Sequence, residues 1–216
     1  MKEAVLFDLD GVLLNSMPYH VEAWRRVFAR RGVSLRPEEV YSREGTRTSE
    51  LARQLLQDHG LELSEEEILR LIDEKSKTYN EISRAEIMPG AVELLEELKR
   101  RRILTAIVTS TFRENLERIL PREFLRQFEA IVAGEDVSIG KPHPRPYLLA
   151  AERLEKLPQR CVAVENAALG VQSAHAAGMR CVGITSTQTP EQLREADWIF
   201  PDLWQLTEHV NLVLQD

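Results

Sequence analysis

The amino-acid sequence predicts an α/β fold with an inserted all-helical module, and two patterns along the chain support this. Short apolar runs alternate with amphipathic helical patterns over most of the 216 residues, as in the βαβ units that build a mainly parallel sheet. The interval 17–86 interrupts the alternation, because it contains helical patterns and no convincing strand. We therefore expect a Rossmann-like, three-layer core from residues 1–16 and 87–216, with residues 17–86 forming a helical cap.

The core elements are predicted from apolar runs and from residues that start or stop helices. Pro89-Gly90 precedes one helical pattern, as at a helix start, and Gly178 follows another, as at a helix C-terminus. Predicted strands occupy residues 3–7, 103–108, 129–133, 161–164, 180–184 and 198–200. Predicted helices occupy residues 90–101, 113–120, 144–156, 168–177 and 203–214.

The position of the cap suggests what it does. Its helical patterns lie near residues 17–31, 37–41, 48–59 and 64–84, directly after the first strand. Ligands of open α/β sheets bind outside the carboxyl ends of the strands. A module inserted there would cover the site as a lid, exclude water and supply specificity contacts.

Composition narrows the choice of partner and compartment. The formal net charge of −7 argues against nucleic acid and anionic membrane surfaces, and no stretch approaches the roughly 20 apolar residues of a membrane span. Cys161 and Cys181 each open a predicted buried strand, which fits a reducing cytoplasm better than a disulfide scaffold. We expect a cytoplasmic protein that acts on a small molecule, and nothing in the sequence demands a dimer.

The first strand ends in two acids. Phe7 is followed by Asp8 and Asp10, and residues two apart on an extended chain point the same way. Gly11 then lets the backbone turn. Two carboxylates in one pocket repel unless a cation lies between them or one holds a proton, so both Mg²⁺ binding and a nucleophile beside a proton carrier are open. The simpler alternative is an acidic turn.

Polar residues also follow other predicted strands. Thr109-Ser110-Thr111 follows the second strand, Gly140-Lys141-Pro142 precedes a helix, and Glu165-Asn166 follows the strand at 161–164. Each has an ordinary structural alternative: helix capping for the hydroxyl and acidic residues, and a solvated surface for the lysine. Together they would bring an anion-binding group, a cation and a further carboxylate to the edge where Asp8 lies.

In this order and spacing, the motifs resemble those of the haloacid dehalogenase (HAD) superfamily, in the β-phosphoglucomutase-like and phosphatase branch with a helical cap. The resemblance covers essentially the whole chain. It implies that Asp8 is the nucleophile that forms an aspartyl-phosphate and that Asp10 is the general acid/base. It further implies that Thr109 holds a phosphoryl oxygen and that Lys141 neutralises charge on Asp8 and the phosphoryl group.

The same resemblance implies a Mg²⁺ cofactor. Its ligands would be Asp8, the backbone carbonyl of Asp10, and the fourth motif, Glu165-Asn166. That motif commonly contains two acids, so Asn166 removes one negative charge while still offering an amide oxygen. The dehalogenases of the superfamily lack the second aspartate, so Asp10 argues against that activity.

Further residues are candidates for substrate binding. By resemblance to β-phosphoglucomutases, His20 would contact the acid/base aspartate and Lys75 would face the substrate; the alternative for both is a solvated helix surface. Ser110 offers donors to an anion. The residues 42–49 would form the specificity loop of the cap, and they contain Glu44 and Arg47.

The specificity loop leaves the substrate open. A mutase usually has an arginine three places after Gly45, where this chain has Thr48 with Arg47 beside it. Glu44 would repel a phosphate, but it could approach Mg²⁺ and restore the charge lost at Asn166, as in a sub-branch that hydrolyses pyrophosphate.

We therefore predict a Mg²⁺-dependent phosphatase that hydrolyses a small phosphorylated metabolite through an aspartyl-phosphate. A hexose-phosphate mutase of the β-phosphoglucomutase type and an inorganic pyrophosphatase are the alternatives. A non-catalytic α/β binding protein is a remote one, since it would leave Asp8 and Asp10 without a purpose.

Overall fold

Six strands across residues 1–215, the part of the chain that the computed structural model describes, form one parallel sheet in the order β3-β2-β1-β4-β5-β6. The strands are β1 (Ala4–Phe7), β2 (Leu104–Val108), β3 (Ala130–Val132), β4 (Cys161–Glu165), β5 (Arg180–Ile184) and β6 (Trp198–Phe200). All pairings are parallel. The predicted α/β class and Rossmann-like core are confirmed; the last residue of the predicted core range, 216, lies outside the described residues.

The order in which the chain adds strands to the sheet reverses at β1: β2 and β3 lie on one side of it, and β4, β5 and β6 lie on the other. Ala4 pairs with Leu104 of β2 on one side and with Cys161 of β4 on the other. The chain therefore crosses over to opposite sides of β1, and the carboxyl ends of β1, β2 and β4 flank one crevice. This is the switch point at which open α/β sheets bind ligands.

Four helices between β1 and the rest of the sheet pack around a hydrophobic cluster of their own. They are α1 (Met17–Ala29), α2 (Pro37–Tyr41), α3 (Thr48–Asp58) and α4 (Glu65–Ile82). Trp24, Phe28, Leu55 and Leu71 are fully buried in this cluster. α4 begins with a capping box, in which Ser64 and Glu67 satisfy each other's backbone N–H groups. The exact boundaries of cap and core stay a prediction.

The remaining helices cover both faces of the sheet. They are α5 (Ala91–Arg100), α6 (Arg113–Ile119), α7 (Arg122–Leu125), α8 (Arg145–Arg153), α9 (Ala168–Ala176), α10 (Leu203–Glu208) and α11 (Val210–Leu214). Along β1, Val5 and Phe7 join one hydrophobic cluster, and Ala4 and Leu6 join the other, as alternation along a strand requires. α8 and α9 pack on the second face, whereas α5 and α10 pack on the first. The result is three layers.

Two helical segments differ most from the sequence prediction, and α8 also ends at Arg153, three residues before the predicted end at 156. The segment predicted as one helix at 203–214 is split at His209, whose ring stacks on Phe200 with centroids 5.4 Å apart. Its Nδ1 lies 2.9 Å from the carbonyl oxygen of Gln205, and such local bonding competes with a regular helix. α6 ends before Leu120, which is extended because it precedes Pro121, and α7 then begins as a short unpredicted turn of helix.

Among the described residues, no helix combines the length and apolar character needed to span a membrane.

Candidate active site

Asp8, directly after β1, lies in a buried network of charges. Lys141 Nζ donates to Asp8 Oδ1 at 2.6 Å, to Glu165 Oε1 at 2.6 Å and to the carbonyl oxygen of Val108 at 3.1 Å. The side chains of Lys141 and Glu165 are 2% and 1% exposed, so water contributes little to their compensation. The lysine that the sequence places in a loop before α8 thus joins the ends of three neighbouring strands.

The charges of this network do not balance. Burial raises the pKa of Asp8, the ammonium of Lys141 opposes this, and the carboxylates of Glu165 and Asp10 raise it further. Burial lowers the pKa of Lys141, but Asp8 and Glu165 outweigh it and hold that pKa above its usual value. Lys141 therefore stays charged, while the carboxylates around it exceed the positive charge that one ammonium can provide.

Asp10 has a different environment. Ser16 Oγ donates to its Oδ1 at 2.5 Å, and Thr111 Oγ1 donates to its Oδ2 at 3.0 Å. His20 Nε2 lies 3.3 Å from Oδ1. Burial alone would raise the pKa of Asp10, but the contacts with His20, Ser16 and Thr111 hold that pKa well below its usual value. Without substrate, Asp10 is an ionised carboxylate held by hydroxyl groups and an imidazole.

Lys75 and His20 connect the cap helices to Asp10. Lys75 Nζ donates to His20 Nδ1 at 2.7 Å, which leaves the proton of a neutral ring on Nε2, facing Asp10. The His20 ring stacks on Tyr79, with centroids 4.1 Å apart, and Lys75 Nζ lies 5.7 Å from the centre of the Trp24 ring. Burial lowers the pKa of His20 and lowers the pKa of Lys75 to about 8. Neither residue has the solvated helix position that was the alternative.

Glu44 of the specificity loop reaches the core. Asn166 Nδ2 donates to Glu44 Oε1 at 2.6 Å and to Thr187 Oγ1 at 2.8 Å, and the Thr187 hydroxyl donates to Glu44 Oε2 at 2.7 Å. Burial raises the pKa of Glu44 well above its usual value. Both amide hydrogens of Asn166 are used in these bonds, and its Oδ1 is buried without a hydrogen-bond partner among residues 1–215.

The turn after β1 needs a glycine at position 11. Gly11 has a φ of +88°, and a Cβ built there would lie 2.2 Å from Asn166 Nδ2 and 3.2 Å from Glu44 Oε1. Any side chain would therefore clash with the Asn166 amide and displace it from its position beside Glu44.

The hydroxyl groups after β2 contact both domains. Thr109 Oγ1 accepts a hydrogen bond from the backbone N–H of Thr111 at 3.0 Å, and Thr109 is buried. Ser110 Oγ donates to the carbonyl oxygen of Gly45 at 3.3 Å. Thr111 was not among the predicted site residues, yet its hydroxyl contacts Asp10, as the Ser16 hydroxyl does.

Arg47 contacts the loop before α8 in this conformation. Its guanidinium donates to the carbonyl oxygen of Ser138, and its stem covers Gly140, where a Cβ would lie 2.6 Å from Arg47 Cγ. The predicted substrate contact of Arg47 is therefore not formed in this conformation and stays a prediction.

A cavity of about 80 Å³ lies between the two aspartates and the cap. From the core it is lined by Asp8, Asp10, Ser110, Thr111, Glu165, Asn166 and Ala167. From the cap it is lined by Met17, His20, Val40, Arg43, Glu44, Gly45, Thr46, Thr48, Leu51 and Lys75. The structure thus brings most of the predicted site residues around one cavity, with Arg47, Thr109 and Lys141 bordering a smaller adjoining space.

Four residues of the site were not predicted as individual site residues, although Thr111 belongs to the motif Thr109-Ser110-Thr111. Ser16 and Thr111 lie close in sequence to the predicted motifs, so their proximity was a usable signal. Tyr147 donates to Glu165 Oε1 at 2.6 Å, and Thr187 bonds Glu44 and Asn166. Thr187 lies in a polar run after β5 that carries no distinguishing pattern.

The oxygen atoms at the ends of β1 and β4 are suitable ligands for a hard divalent cation. Within the described part of the chain, no group of three or more His, Cys, Asp or Glu side chains forms a ready-made cluster. The two carboxylates of Asp8 and Glu165, the unpartnered Asn166 Oδ1 and the Asp10 carbonyl are nonetheless oxygen donors of the type that Mg²⁺ takes together with water. The excess of buried negative charge in the site also favours binding of a divalent cation.

Comparison with known proteins gives a consistent family. Residues 2–178 match the model of the haloacid dehalogenase-like hydrolases. The chain is 33% identical over 209 residues to validoxylamine A 7'-phosphate phosphatase from Streptomyces hygroscopicus subsp. limoneus, covering 95% of this chain and 96% of that protein. It is 36% identical over 180 residues to the phosphorylated carbohydrates phosphatase of Thermotoga maritima, covering 82% of each.

A solved structure gives the same relationship. The β-phosphoglucomutase of Clostridium difficile superimposes with a TM-score of 0.87 and 28% identity, covering 99% of this chain and 97% of that one. The predicted superfamily and its β-phosphoglucomutase-like branch are confirmed, and the alternative of a non-catalytic binding protein is set aside in favour of an enzyme. The chain belongs to the haloacid dehalogenase-like hydrolase family.

Proposed function

We propose that this protein is a Mg²⁺-dependent phosphatase that hydrolyses a small phosphorylated carbohydrate through an aspartyl-phosphate on Asp8. The observation that carries the proposal is the difference between the two aspartates. Asp8 faces Lys141, a permanent cation, whereas Asp10 is held by hydroxyl groups and His20. One carboxylate is thus suited to receive a phosphoryl group, and the other is suited to exchange protons.

The proposed reaction has two steps. A carboxylate oxygen of Asp8 attacks phosphorus, the bond from phosphorus to the leaving oxygen breaks, and Asp10 gives a proton to that oxygen. Asp10 then takes a proton from water, which attacks phosphorus and breaks its bond to Asp8, so that phosphate leaves and Asp8 is restored. Asp10 is ionised before substrate binds, and the negative phosphoryl group raises its pKa so that it takes up the proton on binding.

Positive charge and hydrogen-bond donors would stabilise the transferred group. Lys141 Nζ is already 2.6 Å from Asp8 Oδ1, so it can interact with a phosphoryl group attached there. Thr109 and the backbone after β2 would bind phosphoryl oxygens. Asp8, the Asp10 carbonyl, Glu165 and Asn166 would hold Mg²⁺, which supplies further neutralisation of the phosphoryl charge.

The cap side of the cavity supports a substrate with one phosphate. Met17, Val40, Thr46, Thr48 and Leu51 present apolar and hydroxyl groups there. Arg43 also lines the cavity, but its guanidinium is bonded to the Glu39 carbonyl and to Asp58. With Arg47 bonded to Ser138, neither arginine is placed to bind the second phosphate of a mutase intermediate. The name of one relative, the phosphorylated carbohydrates phosphatase of Thermotoga maritima, favours the same substrate class.

The test is hydrolysis of an aryl phosphate with Mg²⁺ by the wild type and by Asp8→Asn. We expect activity in the first and none above background in the second, and equal rates would overturn the proposal. A panel of hexose phosphates, hexitol phosphates, phosphoglycolate and pyrophosphate then identifies the substrate class. A requirement for a sugar bisphosphate with an isomerised product would show a mutase instead.

Inorganic pyrophosphate is a second candidate substrate, favoured by the position of Glu44. Glu44 is 7% exposed and lines a small cavity beside Asn166. An acid there suits a compact substrate that arrives with a metal ion better than a bare phosphate. Glu44→Gln keeps one of the two acceptor oxygens, replaces the other with an amide donor and prevents the group from carrying a negative charge. If pyrophosphate is the substrate, Glu44→Gln should lose pyrophosphate hydrolysis far more than aryl phosphate hydrolysis, and an equal effect on both would reject this candidate.

A further inference from the structure

Tyr147 of α8 lies directly beneath the charged network of the site. It is 0% exposed and lies six residues after Lys141. Its Oη donates to Glu165 Oε1 at 2.6 Å, and Lys141 Nζ donates to the same oxygen at 2.6 Å. Lys141 Nζ also lies 5.3 Å from the centre of the Tyr147 ring, within the range of a cation–π contact. One tyrosine therefore contacts both members of the lysine–glutamate pair.

The opposite side of Glu165 is closed by the backbone of α9. A Cβ built on Gly170 would lie between 2.0 and 2.2 Å from the Glu165 carboxyl atoms. The carboxyl group thus fills the space that a side chain would occupy, and it cannot move towards the helix. The contact with Gly170 limits its position, and Tyr147 and Lys141 set its rotation.

The Tyr147 hydroxyl supplies a hydrogen bond to one of a pair of buried carboxylates that share one positive charge. Asp8 and Glu165 share the single ammonium of Lys141, and all three side chains are largely removed from water. Buried carboxylates need hydrogen-bond donors as well as charge partners. Tyr147 adds a donor without adding charge, and burial raises the pKa of its hydroxyl well above the usual value, so the proton stays on the phenol.

We propose that Tyr147 is a positioning residue that fixes the Glu165 carboxylate for a divalent cation. Both donors use Oε1, which leaves the other oxygen, Oε2, for the cation. Without the hydroxyl, Lys141 alone would hold the group, and the carboxylate could rotate about its bond. This inference rests on the proposed Mg²⁺-dependent function and adds to it a residue outside the predicted motifs.

The test uses Tyr147→Phe in the full chain, which removes the hydroxyl and keeps the ring. Titration calorimetry with MgCl₂ alone measures cation binding without any turnover. We expect binding to be about 10-fold weaker than in the wild type, as for other residues that orient a metal ligand. In assays, kcat/KM should fall at low Mg²⁺ and recover as Mg²⁺ is raised, with the limiting KM for the phosphate substrate unchanged.

A matched control removes a buried hydroxyl elsewhere. Thr105 of β2 is 4% exposed, and its Oγ1 donates to the Gln127 carbonyl oxygen at 3.0 Å. Thr105→Val should alter stability and leave the affinity for Mg²⁺ unchanged. The rise in unfolding temperature that Mg²⁺ causes, measured for each variant against its own metal-free form, separates cation binding from loss of stability.

The outcomes distinguish the two proposals. Weaker binding and a smaller Mg²⁺-induced rise in Tyr147→Phe, with Thr105→Val like the wild type, support the positioning role. Wild-type affinity in Tyr147→Phe overturns that role and leaves the proposed function intact. If the wild type itself binds no Mg²⁺, the proposed function fails and this inference fails with it.

Discussion

The core half and the cap half of the site hold their charges in different ways. In the core half, Lys141 bonds two carboxylates at 2.6 Å, and its pKa is held above the usual value. In the cap half, Lys75 bonds the neutral ring of His20, and its pKa falls to about 8. Two buried lysines in one cavity region thus have opposite shifts, because one faces carboxylates directly and the other faces an imidazole and aromatic rings.

This difference suggests that Lys141 and Lys75 have different functions. The core lysine is a fixed charge that neutralises Asp8, which suits a group that stabilises phosphoryl transfer in every turnover. The cap lysine is close to losing its proton near neutral pH, which suits a group whose contacts depend on what occupies the cavity. We therefore expect core substitutions to affect all substrates alike and cap substitutions to affect them selectively.

Replacing the core lysine should have the largest effect. Lys141→Met leaves Asp8 and Glu165 buried without a charge partner, so it should cost about 3–5 kcal/mol of unfolding free energy at pH 7. Because the pKa of Lys141 is raised, its stabilisation is complete below the unfolded-state value of 10.5 and is lost only above it. Activity should fall by about 10³-fold on every substrate. Denaturant unfolding and steady-state kinetics measure both, and a wild-type rate would contradict the account.

Asp10→Asn should have an effect on activity that depends on the leaving group. General acid/base catalysis typically contributes about 10²–10⁴-fold. A sugar alkoxide needs a proton to leave, whereas a nitrophenolate does not. The first step should therefore slow strongly with a sugar phosphate and little with a nitrophenyl phosphate, while dephosphorylation of Asp8 slows with both. Single-turnover rates with the two substrates give the comparison, and identical losses in the first step would remove the acid role.

Replacing the cap lysine should reverse the sign of the stability change. The fall in the pKa of Lys75 from 10.5 to about 8 corresponds to about 3 kcal/mol of unfavourable charge burial. Lys75→Met should raise the unfolding free energy at pH 7 by up to about this amount. The gain should shrink between pH 8 and 10.5, since the folded wild type there sheds a proton that the unfolded chain keeps.

The functional cost of Lys75→Met should be selective. Denaturant unfolding at pH 7 and pH 10 tests its stability, and kcat/KM on aryl and sugar phosphates tests its specificity. If Lys75→Met is less stable than the wild type at pH 7, charges other than the His20 contact must compensate the burial of the Lys75 ammonium.

Arg47→Ala should have the smallest effect. Its bond to the Ser138 carbonyl lies at an exposed edge, where such contacts contribute about 1 kcal/mol or less. We expect kcat/KM to fall by only about 3-fold on any substrate. A loss of about 100-fold on one substrate, with aryl phosphate unaffected, would instead restore the predicted role of Arg47 as a substrate ligand.

Much of the fold is predictable because each strand is a run of buried residues bounded by polar ones. The end of α6 was predicted one residue too late, at 120, although the sequence carries the signal, because Leu120 precedes Pro121 and leaves the helix. The break at His209 could not be predicted, because it depends on a ring contact with Phe200, which is distant along the chain. Local periodicity cannot report such a contact.

The residues of the site also fall into those that the sequence could predict and those that it could not. The proximity of Asp8, Lys141 and Glu165 could be predicted because they follow strands or precede a helix at the edge where parallel strands meet, and because their order resembles the motifs of the family. Tyr147 was hidden because its contact depends on which face α8 turns to the sheet. The side chain of Arg47 could not be oriented either, since a loop arginine can reach either side of the cap.

The most direct test is a rapid-mixing experiment with Asp10→Asn and nitrophenyl phosphate. If Asp8 is the nucleophile and Asp10 activates the water, each enzyme molecule should release one nitrophenol in a burst and then nearly stop. Mass spectrometry of the quenched protein should find one phosphoryl group on the peptide that contains Asp8. A phosphoryl group on another residue, or turnover without a burst or a phosphorylated enzyme, would contradict the account.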